Sequence, residues 1–301
     1  MKFAITLESL QVLHTVAQKG SFSAAAKALH RVPSSITYAI SQLEQRLGVT
    51  LFDRNGHQAQ LTIEGEALLR DGRDLLSMAN GIEQNVRRIA TGWEAELRIA
   101  VGDIVPIQRL LALCERFYDI APDTRLKLTK EVLGGTWDAL VSDRADLVIG
   151  APGDAPPGGG HAAAPMGELE FVFVIAPHHP LATQPEPLSN EQIRQHRGVA
   201  AADTSQYLSP RTFGLLPGQS VLTVPDLQMK REVQLKGLGV GRLPYHLIAE
   251  DIAEGRLIVK ETEDGGRQRH AIFAAWRTRH PGNGLSWFRE QLTSGEINWF
   301  E

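Results

Sequence analysis

The sequence predicts two architectures in one chain, an all-α head closed by a β-hairpin and a mixed α/β remainder. Three observations carry that reading. Apolar residues recur at helical spacing in three short runs over the first sixty residues, divided by turn signals. A fourth and longer run keeps a seam at spacings of four and three through Leu68, Gly72, Leu75, Ala79, Ile82, Val86 and Ile89. From Leu97 onward short strands alternate with amphipathic helices, the pattern of a parallel sheet with helices on its faces. With 301 residues, 43% of them apolar and 22% charged, the chain is long enough for two or three domains of ordinary globular composition.

Residues 7–18 place Leu10, Val12, Leu13, Val16 and Ala17 on one face, which makes the first helix a scaffold. Ser21 and Ser23 are good N-caps for the next, and the small residues from Phe22 to Leu29 let another helix cross it closely. After a turn at His30, Arg31 and Val32, Pro33 is tolerated in the first turn of a third helix, whose buried stripe is Ile36, Ile40, Leu43 and Leu47. The opposite face carries Ser34, Ser35, Thr37, Tyr38, Ser41 and Gln42. Such short hydrogen-bonding side chains reach base edges and phosphates when the second helix of a helix-turn-helix lies in a DNA major groove. Gly48 stops the helix. Residues 49–52 and 58–62 read as strands about the Asn55-Gly56 turn, a wing whose Arg54, His57 and Gln58 can touch the backbone or the minor groove.

Charge is uninformative as a sum and mildly informative as a distribution. The chain carries a formal net charge of -4, but residues 1–62 hold Lys2, Lys19, Lys27, Arg31, Arg46 and Arg54 against Glu8, Glu44 and Asp53. The seam of the fourth helix, residues 63–90, has polar residues on its other faces, so its expected partner is a second copy; the alternative is the chain's own C-terminal half. Gly72 within it marks a close helix approach. Residues 91–96 read as a linker. Helices are expected near 106–118, 134–142, 226–236, 243–254 and 284–292, and strands at 97–102, 126–129, 146–150, 169–176, 199–202, 221–224 and 271–276. The Pro, Gly and Ala-rich stretch 152–165 reads as a loop. The single cysteine, Cys114, excludes an intrachain disulfide and reads as a small buried hydrophobe. No leader-like segment opens the chain and no apolar run approaches a membrane span, so the expected compartment is the cytoplasm and no membrane partner is expected.

The residues Gly20-Ser-Phe-Ser-Ala-Ala-Ala, Leu29, Ser35-Ile-Thr, Ile40-Ser-Gln-Leu-Glu44, Leu47-Gly48, Leu51-Phe52-Asp-Arg54 and Leu61-Thr62 through Gly65 fall in the order and spacing of a known family. The chain resembles the LysR-type transcriptional regulators over about residues 5–295. Weaker agreement continues in Asp146-Leu-Val-Ile-Gly150, residues 174–181, Gly237-x-Gly-x-Gly-Arg-Leu-Pro244 and Ala275-Trp276. The resemblance implies a winged helix-turn-helix (1–62), a dimerising linker helix (63–91) and a periplasmic-binding-protein-like α/β effector domain (95–301). That domain would have one lobe from 95–167 and 270–301, the other from 168–269, and a small-molecule cleft between them. The implied partners are double-stranded promoter DNA, a small-molecule effector, a second copy as homodimer or dimer of dimers, and RNA polymerase. The sequence departs from the family at Val32-Pro33, where a Ser-Gln pair is usual, and at Tyr38, where arginine is frequent. The recognition code is therefore altered, with Arg31 placed to compensate.

In two-lobed folds of this type ligands sit where strand ends and helix N-termini face each other. Asp103 and Ile104, Thr129 and Glu131, Asp203 and Thr204, and Asp226 all fall at such ends and are the effector-site candidates, with helix capping or hinge hydrogen bonding as the alternative for each acid. Several of them together would make an acidic cleft, suited to a neutral, aromatic or amine-bearing effector. No cofactor or metal is expected. Gly237-x-Gly-x-Gly241 reads as a helix-to-strand turn, His178-His179-Pro180 as a loop, and no nucleophile elbow or Cys/His pair suggests catalysis, so an enzyme is not expected. A solute-binding protein would share the second architecture but not the head.

Overall fold

Thr6 opens α1 (Leu7–Lys19) with a reciprocal capping box, its hydroxyl accepting from the Ser9 N–H at 3.1 Å while the Ser9 hydroxyl accepts from the Thr6 N–H at 2.9 Å. Ser21 caps α2 (Phe22–Ala28) by accepting from the Ala24 N–H. The next helix, α3 (Pro33–Leu47), begins without a side-chain cap because Val32 holds the cap position, and Gly48 ends it at φ 73°. Val12, Leu13, Val16, Ala25, Ala26, Ile36, Ile40 and Leu43 meet in one buried cluster. Each large member of it contributes about 1.5–3 kcal/mol of apolar burial. The computed structural model describes residues 3–53, 59–153, 155–279 and 281–300, except for the side chains of 84, 85, 87–89 and 91. The wing residues Arg54, His57 and Gln58 lie outside the described residues, as does the side chain of Ile89.

The expected wing strands are shorter than the sequence suggests. Only β1 (Phe52–Asp53) and β2 (Gln60–Leu61) pair, antiparallel, with Phe52 opposite Leu61. Glu44 substitutes for the missing ladder on one side, its Oε1 accepting from the Leu51 N–H at 2.8 Å.

The long helix α4 (Ile63–Thr91) divides the expected seam. Leu68 and Leu69 pack on the head's own core, and Gly72 lies under Leu10 of α1, where a Cβ would come within 2.7 Å of the leucine Cδ2. The close approach that Gly72 marks is therefore intramolecular. Farther along, Leu75, Met78, Ile82 and Val86 are exposed, at 48%, 60%, 60% and 61%. The chain forms two compact units, Met1–Val86 and Arg87–Glu301.

In the second unit β3 (Glu96–Gly102) pairs in parallel with both β4 (Arg125–Glu131) and β5 (Leu147–Pro152), and α5 (Ile107–Ile120) and α6 (Gly135–Val141) are the crossovers. There follow β6 (His161–Ile175), a 3-10 turn at Pro180–Thr183, α7 (Asn190–Arg194), β7 (Gly198–Ala201), β8 (Val221–Val224), α8 (Leu227–Leu235), β9 (Gly241–Pro244), α9 (Tyr245–Ala253), β10 (Ile258–Val259), β11 (Arg267–Arg277) and α10 (Asn283–Thr293). The seven-stranded sheet runs β10-β6-β11-β5-β3-β4, with β9 also on β6, while β7 and β8 form a separate parallel pair. Glu94 caps α10, accepting from Gly282, Gly284 and Leu285 N–H at 2.9–3.1 Å, and the Asn283 N–H donates to the Gly92 carbonyl at 2.9 Å.

Residues 161–165, read as loop, are strand. Ala162, Ala163 and Ala164 pair with Trp276, Ala275 and Ala274 of β11, and Pro165, which has no N–H to give, sits where the ladder shifts register opposite Phe273. β6 and β11 run unbroken through 167/168 and 269/270, where the resemblance implies the lobes part. The ladder's register shifts between Ile272 and Phe273, leaving Met166 out of the pairing.

Candidate functional site

Two surfaces carry chemistry, and the first is the outer face of α3. With Ile36, Ile40 and Leu43 turned into the core, 3.6-residue periodicity turns Ser34, Thr37 and Tyr38 outward, and all three are exposed; Ser35, Ser41 and Gln42 are half-buried on its flanks. The Ser35 hydroxyl donates to the Val32 carbonyl at 2.8 Å and the Thr37 hydroxyl to the Pro33 carbonyl at 3.1 Å, which fixes both groups and leaves their oxygens free to accept. Gln42 Nε2 donates to Gln45 Oε1 at 3.2 Å. Arg31 is held by Glu8 of α1 at 2.7 Å, both side chains being largely exposed, so its guanidinium has an acidic competitor for any phosphate.

The second surface is a cavity of about 210 Å³ inside the Arg87–Glu301 unit. Asp103 and Ile104, after β3, line it. The other candidates are not among its lining residues: Glu131, Asp203, Thr204 and Asp226 are engaged in a clasp between the ends of β4 and of β7 and β8. Thr204 Oγ1 accepts from the Val132 N–H at 3.0 Å and donates to the Glu131 carboxylate, and Asp203 Oδ2 accepts from the Gly134 N–H at 2.9 Å. Glu131 also meets Arg144 at 2.5 Å. Asp226 caps α8 by accepting from the Met229 N–H at 2.8 Å and pairs with Lys130 at 2.5 Å; the Lys130 ammonium beside it is the main reason its carboxyl is held below the usual range. The Thr129 hydroxyl lies 3.4 Å from the Ile99 carbonyl. Capping and cross-strand hydrogen bonding thus account for the acids of this group. Replacing Thr204 by valine leaves the Val132 N–H unpaired and is expected to destabilise the unit by about 1–3 kcal/mol, read by urea denaturation, with faster amide exchange at 131–134. Unchanged stability and exchange would show that the clasp contributes nothing.

The described lining of this cavity is basic, where the sequence reading expected an acidic cleft. Among the described residues, Lys230, Arg211, Arg242 and His270 line the cavity against one acid, Asp103. Lys230 is 3% exposed, and its ammonium has no hydrogen bond or ion pair among the described residues. Burial pushes its amine down to about 8, with the Asp103 carboxylate pulling the other way. Asp103 is itself pushed up to about 6 by burial, although it accepts from the Leu227 N–H at 3.0 Å. Phe171 and Phe213, ring centroids 4.7 Å apart, form an aromatic wall with His270, which stands edge-on to both. Burial, and secondarily the charge of Arg242, lowers the His270 pKa, and its Nε2 is buried without a partner among the described residues. Lys230 was legible in principle: it occupies the buried stripe of α8 with Leu227 and Gln234, where a core residue belongs. Arg211 and Phe213 lie on an irregular loop whose course no local pattern gives.

A helix-turn-helix head and an α/β unit enclosing a ligand-sized cavity define a class, the regulators that couple a DNA-reading module to a small-molecule pocket. The bacterial regulatory helix-turn-helix protein family model, lysR family, matches residues 7–66, and the LysR substrate binding domain model matches 90–295. The chain is 37% identical to the HTH-type transcriptional regulator YeeY of Escherichia coli K12 (95% of this chain, 92% of that one). It is 39% identical to YhaJ of Escherichia coli O157:H7 (96% of each) and 36% to PunR of Escherichia coli K12 (96% and 93%). Among solved structures it is similar in fold to the Vibrio cholerae virulence activator AphB (TM-score 0.60, 19% identity, 97% of this chain and 100% of that one) and to CbnR in complex with its target DNA (0.60, 20%, 97% and 100%). The protein belongs to the LysR family of DNA-binding transcriptional regulators, with an N-terminal helix-turn-helix and a C-terminal effector-binding domain. Among the described residues no helix is long and apolar enough to cross a membrane.

Proposed function

We propose that the protein acts in the cytoplasm as a homodimer or dimer of dimers joined through α4. It binds a partly palindromic promoter site with α3 and the wing, and it responds to a small molecule held in the Asp103–Lys230 cavity. The observation that carries the DNA-reading part is the hydroxyl-rich face of α3, turned to solvent by a core that leaves it no other orientation. Arg31, Ser34, Ser35, Thr37, Tyr38, Ser41 and Gln42 read or position, and Arg54, His57 and Gln58 hold the backbone or minor groove. The effector acts by its differential affinity for two quaternary arrangements, and the output reaches RNA polymerase at the promoter.

Footprinting on the chain's own upstream region tests this. Protection of two half-sites on one face of the duplex is expected. Thr37→Ala is expected to weaken operator binding by about 1–3 kcal/mol with loss of sequence preference, while Arg54→Gln weakens all DNA alike and lowers the salt slope. No protection, or a Thr37 variant that binds like the parent, overturns the reading.

A further inference from the structure

The cavity's charge and size together select a class of molecule. Lys230 is the principal observation: an ammonium withdrawn from water without a hydrogen-bonded partner, its one coulombic counter-charge being the Asp103 carboxylate, is costly, and a ligand that supplies a direct counter-charge relieves the cost. Arg211 lines the same space, and its guanidinium Nη1 donates to the Pro152 carbonyl at 3.1 Å with no carboxylate partner among the described residues. Arg242 is not a third such group. Its two terminal nitrogens donate to the Gly266 and Gly265 carbonyls and the Thr262 hydroxyl at 2.7–3.1 Å, which ties its head to the turn before β11.

A cation entering the cavity meets the charges of Lys230 and Arg211, together with that of the tied Arg242, against one acid among the described residues, Asp103, already engaged by the Leu227 N–H. A neutral molecule leaves Lys230 unpaired. An anion satisfies both cations. A dry cavity of roughly 150 Å³ accepts benzene, so the 210 Å³ here has room for one ring and a small charged substituent. Phe171 and Phe213 supply the faces for that ring.

We propose that the cavity binds a ring-sized aromatic monocarboxylate, its carboxylate held by Lys230 and Arg211 and its ring against Phe171 and Phe213. This rests on the reading of the cavity as the effector site. It adds the ligand's charge, its size and the residues that recognise it. His270, neutral and with an unpartnered Nε2, offers a hydrogen bond to a hydroxyl or amino substituent on the ring.

The test is calorimetry on the full-length protein at pH 7 with benzoate, the isosteric neutral benzamide and the cationic benzylamine. Benzoate is expected to bind at least about tenfold more tightly than benzamide, and benzylamine more weakly than either. Lys230→Met is expected to remove the preference for benzoate over benzamide, and Arg211→Gln to reduce it, while Lys127→Met on exposed β4 retains it. Circular dichroism establishes that each variant is folded. Benzamide or benzylamine binding as tightly as benzoate overturns the assignment, as does a folded Lys230→Met protein that keeps the preference. Failure of benzoate and of its hydroxy and amino derivatives to bind also overturns it. Footprinting on promoter DNA is independent of all three ligands, so the regulator reading stands or falls separately.

Discussion

Lys230→Met is expected to raise the stability of the ligand-free protein at pH 7 by about 3 kcal/mol, or roughly 6–12 °C in melting temperature for a unit of this size. Most substitutions of buried residues destabilise. This one removes a charge that folding strips of water without a hydrogen-bonded partner among the described residues. The sign follows from linkage. The amine binds its proton less readily in the folded protein, at about 8, than at the 10.5 of an unfolded chain, so the unfolded state binds more protons between those values and stability rises with pH across that window. The advantage of methionine is therefore full below pH 8 and fades by about pH 10.5. The groups facing Lys230 in the cavity are Asp103, Arg211, Arg242 and His270; Asp103, pushed up to about 6, contributes the opposing attraction once it ionises. Urea denaturation of both proteins at pH 7 and pH 10 reads the effect. A methionine variant no more stable than the parent at pH 7 would show that the ammonium is satisfied, and the account of the cavity as a site awaiting an anion would lose its energetic basis. The expected outcome makes Lys230 a residue retained at the expense of stability.

The second large effect is expected from Met78→Glu combined with Ile82→Glu. Both side chains are 60% exposed on α4, so neither substitution removes a core contact of the single chain. If they form the seam between copies, four glutamates replace an apolar contact, and the variant is expected to be monomeric at micromolar concentration by analytical ultracentrifugation. Affinity for a two-half-site operator is then expected to fall on the order of 100-fold or more, because the second head no longer binds as an intramolecular event, while affinity for an isolated half-site stays the same. A double variant that sediments as the parent does would refute the α4 seam.

The head was legible almost residue by residue because its determinants are local. Ser21 caps, Gly48 stops, and the stripe Ile36, Ile40, Leu43 decides which side of α3 faces outward. Order and type of the main α/β elements were legible for the same reason, from Leu97 to α10. What escaped depends on distant chain. The strand at 161–165 exists only because β11 lies beside it, and the Gly/Pro content around it argued for a loop. The candidates at strand ends were chosen by position alone; position brings Asp103, Ile104, Glu131, Asp203, Thr204 and Asp226 near one another, but hydrogen-bond partners decide that Glu131, Asp203, Thr204 and Asp226 clasp the fold while Asp103 and Ile104 face the cavity. The basic residues that reverse the cavity's polarity come from α8, β9, β11 and the 202–220 loop, a convergence that no spacing in the chain records.

β6 and β11 run through the middle of the C-terminal unit as one antiparallel ribbon, interrupted where Met166 is left out of the pairing between Ile272 and Phe273. That irregularity, at Pro165 and Phe273, adjoins in the chain the Ile272 that lines the cavity. The far end of the ribbon leads into α10, whose first turn is bolted by Glu94 and the Gly92 carbonyl to the residues that follow α4.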